Sequence, residues 1–199
     1  MNYWDLYYST ETAPQIPSQF AVFALGELDF DSVVDLGCGN GRDAEFFVRM
    51  NKKVFAVDKS TAGLEYLRKS KSEVQVFQCD FESVASLDRL ADVVSSTDQR
   101  LFYARFLLHA IPENARKNLF KWLSCNMRPG DSLALEFRTD RDRNLPKQTK
   151  DHFREGLNPG TVAHQVIEAG LAIAYHVEGF GFAKFGVDDA HVARVIATA

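Results

Sequence analysis

Three aspartates stand at or just past the carboxyl ends of three successive apolar, β-branched runs. Asp35 lies in Ser32-Val33-Val34-Asp35-Leu36, Asp58 follows Lys53-Val54-Phe55-Ala56-Val57, and Asp80 follows Val74–Gln78. Glycines at 37, 39 and 41 stop the first run. In open α/β sheets ligands sit beyond the carboxyl ends of the strands. A carboxylate placed there accepts hydrogen bonds from hydroxyl, amino or ammonium groups. Glycines let the chain turn sharply and approach a ligand with no Cβ in the way. One aspartate at a strand end is commonplace; three in register with a glycine loop point to a ligand site.

These residues need a scaffold, and the pattern supplies one. Short apolar runs alternate with helix-like stretches, which calls for a parallel sheet flanked by helices. A helix is expected from Arg42 to Met50, with Phe46, Phe47 and Met50 on its buried face, and another over Thr61–Lys69. Phe81–Thr97 reads as helical at first and irregular afterwards, and Arg100–Ala104 as a fourth strand. A long helix follows from Pro112, where a missing N–H costs least, to about Met127. Ser132–Phe137 is a fifth strand, 139–160 a polar insertion, and Thr161–Ala169 a helix. Ala172–Ala183 and Ala190–Ala197 are strand-like and joined by Gly186-Val187-Asp188-Asp189, a hairpin. The expectation is one domain over 1–199 with an N-terminal flap at 1–17. Its fold class is α/β: a Rossmann-like, mostly parallel seven-stranded sheet with helices on both faces and a C-terminal antiparallel hairpin strand.

At 199 residues the chain suits one domain with a sizeable core. Its 27 acidic residues outnumber 23 basic ones, which argues against a general nucleic-acid binder. Cys38, Cys79 and Cys125 form no C-x-x-C pair, so neither a disulfide framework nor a zinc site is indicated. His152, His164, His176 and His191 show no metal-ligand spacing. The first residues lack the basic start and apolar core of a signal peptide, and no apolar run approaches the roughly 20 residues of a membrane helix. A cytoplasmic protein without membrane insertion is expected.

Val33-Val34-Asp35-Leu36-Gly37-Cys38-Gly39-Asn40-Gly41 resembles the first motif of the class I S-adenosylmethionine (SAM)-dependent methyltransferases. Val54–Asp58 and Val76–Phe81 resemble the family's second- and third-strand motifs. The resemblance implies that Asp35 with Gly37, Gly39 and Gly41 meets the methionine part of SAM, where a carboxylate suits the ammonium group. It implies that Asp58, 17 residues beyond Gly41, accepts from both ribose hydroxyls. Asp80 would accept from the adenine amino group, and Phe81 would meet the base. Tyr103–His109, Gly181–Val195 and Pro17–Ala21 look like a subgroup found with bacterial surface-polysaccharide genes. Residues Ala91–Thr97 depart from the family layout, in which the fourth strand directly follows an acidic residue.

Two rivals stand beside this reading. Gly39-Asn40-Gly41-Arg42-Asp43-Ala44 also satisfies the G-x-G-x-x-A of NAD-dependent oxidoreductases. Against it, Asp35 would repel a pyrophosphate, and no Tyr-x-x-x-Lys pair stands out. A non-catalytic SAM-binding protein is the second rival. For an enzyme, His109 is the candidate general base, with helix capping or packing as its structural alternative. Arg105, at the end of the fourth strand, is a candidate for binding an anionic acceptor or the SAM carboxylate, unless a structural salt bridge holds it. Arg138–Arg154 carries six basic against three acidic residues, either a solvated loop of internal ion pairs or a lid attracting an anionic substrate. Trp4, Tyr7 and Tyr8 would form a flap over the site or pack on the domain's edge. A small-molecule or glycan-type acceptor is expected, an anionic one included.

Overall fold

In a computed structural model of the chain, described for residues 3–9, 15–70, 73–95, 99–145, 147 and 152–199, seven strands form one sheet. They are β1 (Ser32–Leu36), β2 (Lys53–Asp58), β3 (Gln75–Gln78), β4 (Arg100–Arg105), β5 (Ser132–Arg138), β6 (Ala172–Gly179) and β7 (Val192–Thr198). The order is β3-β2-β1-β4-β5-β7-β6. The first five strands are parallel, while β7 runs antiparallel to both β5 and β6. The expected architecture is the observed one.

Side-chain alternation along the strands feeds two cores. Val34, Leu36, Phe55 and Val57 face a cluster with α5 (Val84–Val94), α6 (Glu113–Asn126) and α7 (Pro159–Glu168). Val33, Val54 and Ala56 face a second cluster with α2 (Gln19–Glu27), α3 (Arg42–Arg49) and α4 (Thr61–Lys69). A short helix, α1 (Tyr3–Tyr8), precedes them.

The differences from expectation are local. α2 escapes a periodicity search because Gln19–Glu27 is apolar nearly all round; Ser18 starts it by accepting the Ala21 N–H. Met50 is 42% exposed and lies past the last turn of α3, so Ala44 and Phe47 form that helix's buried face. β4 extends one residue further, to Arg105. Thr97, with 96 and 98, lies outside the described residues, as do 10–14 of the expected flap and 146 and 148–151 of the insertion. Among the described residues no helix is long and apolar enough to cross a membrane.

The amino end of β4 is clamped by a buried ion pair. Asp131 accepts from the Arg100 backbone N–H and from its Nε, and the Arg100 Nη1 donates to Val94 O at 3.0 Å. Removing one partner strands the other charge in the core, which costs about 3–5 kcal/mol. Asp131→Ala should lower unfolding stability by that amount in a denaturant titration, far more than a surface substitution does.

Candidate functional site

A cavity of about 550 Å³ crosses the carboxyl ends of the parallel strands. The strand order sorts its charges. Asp80 lies just past the end of β3, and Asp58 and Asp35 belong to β2 and β1, whereas Arg105 and Arg138 end β4 and β5 on the other side.

The glycine loop has a defined shape. Gly37, Gly39 and Gly41 take φ of 78°, 59° and 79°, a left-handed conformation that favours glycine. The Gly37 N–H donates to Val57 O at 2.7 Å, and the Gly39 N–H to Asp58 Oδ2 at 2.8 Å. Gly37 walls the cavity. Gly39 and Gly41 lie behind that wall: a Cβ on Gly39 would come within 2.3 Å of the Tyr8 hydroxyl, and one on Gly41 within 2.2 Å of Leu67.

Each aspartate has a distinct environment. Asp35 is buried, and its Oδ2 has no hydrogen-bond partner. Burial, reinforced by Asp43 and Asp58, pushes its carboxyl well above the ordinary range. Such an orphaned carboxylate fits the ammonium group of an amino-acid ligand. Asp58 Oδ1 accepts the Ser60 N–H at 2.7 Å. Burial raises its carboxyl too, against the pull of the backbone donors of Ser60 and Gly39. Asp80 is 2.8 Å from Lys59 Nζ and accepts the Glu82 N–H at 3.0 Å, beside the buried Phe81.

α1 closes one side, and its Tyr3, Trp4, Tyr7 and Tyr8 all line the cavity. Asp5 Oδ1 accepts the Ser60 hydroxyl at 2.7 Å, the bond that chiefly lowers its carboxyl, and so pins α1 to the start of α4. His152 stacks on Tyr3 at 4.2 Å and meets Trp4 edge-on at 4.7 Å. The aromatic flap read from Trp4, Tyr7 and Tyr8 is thus part of the cavity wall.

On the basic side, the registers of β4–β5 and β5–β7 set Glu136 beside both Arg105 and Arg194. The buried Glu136 accepts from Arg105 Nε at 2.9 Å and Arg194 Nε at 2.8 Å. Burial alone would depress the Arg105 guanidinium, but Glu136, together with Asp43 and Tyr103, outweighs it and the pKa is raised. Arg105 is therefore held in a salt bridge and still lines the cavity.

His109 is buried in the 3₁₀ turn Leu108–Ala110. Its Nδ1 accepts the Arg138 backbone N–H at 3.1 Å. Burial first, and Arg138 next, push the imidazole well below its usual pKa. A neutral ring whose Nδ1 lone pair is engaged carries its proton on Nε2. This geometry offers a hydrogen-bond donor, not the proton acceptor that a general base requires.

Much of the basic segment is held in ion pairs, some within it and some with acids further along the chain. Arg138 pairs with Asp142 and Asp188, Lys147 lies 3.1 Å from Asp142, and Arg141 reaches Glu178 at 3.4 Å. Lys150 and Asp151 lie outside the described residues. Three residues that spacing alone did not single out form a network beneath the site: Asp43 accepts from the Ser18 N–H and hydroxyl, each at 2.7 Å, and from the Tyr103 hydroxyl at 2.9 Å. The available signal was Asp43 in the first turn after the glycines.

Comparison with known proteins agrees with this geometry. Residues 33–130 match the family described as a methyltransferase domain. A cypemycin N-terminal methyltransferase from Streptomyces sp. is 28% identical over 111 residues, 55% of this chain and 42% of that protein's length. A SAM-dependent methyltransferase from Anabaena variabilis shares the fold at 16% identity, with a TM-score of 0.72 over 98% of this chain and 91% of its own. The glycopeptide N-methyltransferase MtfA, solved with SAM, has a TM-score of 0.67 at 16% identity, over 96% of this chain and 89% of its own. The fold is the one that these SAM-dependent methyltransferases share, and the matched segment is that of a methyltransferase domain.

Asp35 makes a sharp forecast. A buried carboxyl with a raised pKa costs the ligand-free fold stability as pH climbs above its ordinary value of 3.8. Asp35→Asn should therefore match the wild type near pH 4 and exceed it at pH 7 by about 1–3 kcal/mol. Denaturant titrations at the two pH values, alongside SAM titrations in which the variant binds more weakly, check both halves.

Proposed function

We propose that the chain transfers a methyl group from SAM to an oxygen of a small-molecule or glycan-type acceptor, an anionic one included. The orphaned Asp35 carboxylate at the head of the glycine loop carries this reading. Asp35 would hold the ammonium group, Asp58 the ribose hydroxyls, and Asp80 with Phe81 the adenine. Bound there, SAM supplies a methyl already activated by its sulfonium charge, so alignment and exclusion of water can do most of the catalytic work. α1 and the aromatic pair around His152 exclude water from that side.

The basic half of the cavity, with Phe106, His109, Arg105 and Arg138, is the acceptor side. Its volume lies within the range of small-molecule sites, about 300–1,000 Å³. His109 would donate to an oxygen of the acceptor beside the attacking one, and Arg105 would orient an anionic group; a phosphate or carboxylate oxygen attacks with no proton to lose, whereas a sugar hydroxyl would release its proton to water. The resemblance of Tyr103–His109 to the polysaccharide-gene subgroup favours a glycan-type acceptor. The Streptomyces relative, an N-terminal methyltransferase, favours a second reading, a peptide amine. A labelled-methyl screen of sugars, sugar phosphates and peptide amines separates the two: turnover of amines alone would defeat the oxygen-acceptor reading, and no turnover in any class would favour a passive binder.

Asp58→Ala removes the acceptor for two hydroxyls, each worth about 0.5–1.5 kcal/mol. SAM affinity measured by calorimetry should fall roughly tenfold or more, and an unchanged affinity would place the cofactor elsewhere. For His109 the expectation is a kcat profile without an inflection near pH 6.5, and His109→Gln within about tenfold of wild type. A loss of about 10²–10⁴-fold on that substitution, with an inflection near neutrality, would restore the general-base role.

A further inference from the structure

A second cavity, of about 340 Å³, opens beside the first, between the segment leading into α2 and the turn before β7. Arg42, Arg105 and Phe185 belong to both cavities, so the second is an annex of the first. Its wall carries three cationic residues, Arg42, Arg105 and Lys184, and among the described residues no acidic one.

Arg42 is the unusual member. Its side chain is only 14% exposed, and among the described residues its guanidinium makes no hydrogen bond. The nearest carboxylate oxygen, Asp43 Oδ1, is 3.8 Å from Nε and is already taken by the Ser18 N–H at 2.7 Å. Beyond that long contact at Nε, the guanidinium of Arg42, which lines both cavities, has its N–H donors unused among the described residues. Burial and then the charge of Arg105 both push the guanidinium below its usual pKa. Arg105 itself is neutralised by Glu136, which Arg194 shares. Lys184, on the exposed rim, forms no ion pair among the described residues.

A nearly buried guanidinium with unused donors, next to a second one, is costly unless an anion completes it. We infer that the annex is an oxyanion site, taking a carboxylate or phosphate on Arg42 with Arg105 and Lys184 beside it. Such an anion comes from the cofactor's own α-carboxylate, close to the ammonium on Asp35, or from an acidic or phosphorylated acceptor reaching in from the main cavity. The site stands on its own geometry, and only the choice between those sources rests on the proposed function.

The probe is inorganic pyrophosphate, titrated calorimetrically into wild type, Arg42→Met, Arg42→Lys and Lys184→Met, with circular dichroism to check folding. Lys184 is exposed, so its variant keeps the test informative if an Arg42 variant misfolds. Charge-assisted bonds are about twice as strong as neutral ones. Binding should weaken by about tenfold or more in Arg42→Met and about threefold in Lys184→Met. Arg42→Lys should fall between wild type and Arg42→Met, because lysine lacks the planar fork. Absence of binding to wild type, or binding undiminished in Arg42→Met and Lys184→Met, overturns the site.

Titrations with SAM and its decarboxylated analogue identify the source. If Arg42→Met weakens SAM about tenfold and spares the analogue, the cofactor's carboxylate occupies the annex. If it spares both and still weakens pyrophosphate, the anion is the acceptor's. A wild type that binds pyrophosphate through Arg42 but does not bind SAM supports the annex and overturns the proposed function.

Discussion

Two strand ends, a loop and two helices meet at the Asp58 carboxylate. One oxygen holds the Gly39 N–H and the other the Ser60 N–H. Gly39 must then take its left-handed turn, and Tyr8 fills the space a side chain there would need. A Cβ on Gly63 would sit 2.4 Å from Gly39 O, so α4 lies hard against the loop. Ser60 passes the connection on through its hydroxyl to Asp5, and with it to α1. The loop, α4 and the aromatic cover are thus organised by one side chain that also faces the cavity. Its remaining lone pairs are what a ligand would find, already oriented by the fold.

Across the sheet the electrostatics change character. On the β1 side the carboxylates crowd together and are held in unfavourable burial, a cost that a cationic ligand would offset. On the β4 and β5 side, guanidinium groups are satisfied in pairs, Arg105 with Glu136 and Arg138 with Asp142 and Asp188. Arg42 stands between these regimes without a comparable partner. The cavity is therefore polarised along the strand order, and a ligand bearing both charges has one favoured orientation in it.

Much of this was legible in local pattern. β1 and β2 read as short apolar, β-branched runs and α3 carries a helical period, and the left-handed glycines mark where the chain must leave the strand. The hairpin of β6 and β7 was visible from its turn residues. What local pattern misses is pairing between distant positions. The basic surplus in 138–154 looks available until Asp188, fifty residues past Arg138, closes on that guanidinium. The Nδ1 of His109 is claimed by a backbone N–H on β5, which no spacing rule anticipates. α2 hides for the opposite reason: apolar nearly all round, with even the exposed Val22 on its outer side, it has no polar face to give it a period. Asp43 reads as an ordinary first-turn acid, and its burden of three hydrogen bonds appears only when Ser18 and Tyr103 fold onto it.

The chain holds two tryptophans, and the fold sends them to different places. Trp122 lies in the core beneath the sheet, 5.8 Å from the Phe102 ring. Trp4 stands in the cavity wall among Tyr7, Tyr8 and His152. Intrinsic fluorescence therefore has two separable origins: one indole reports the integrity of the packed interior, the other the occupancy of the cavity. Replacing Trp122 with Phe leaves the protein with a single indole in the cavity wall, where, under excitation selective for tryptophan, an arriving or departing molecule alters the light directly and needs no attached dye.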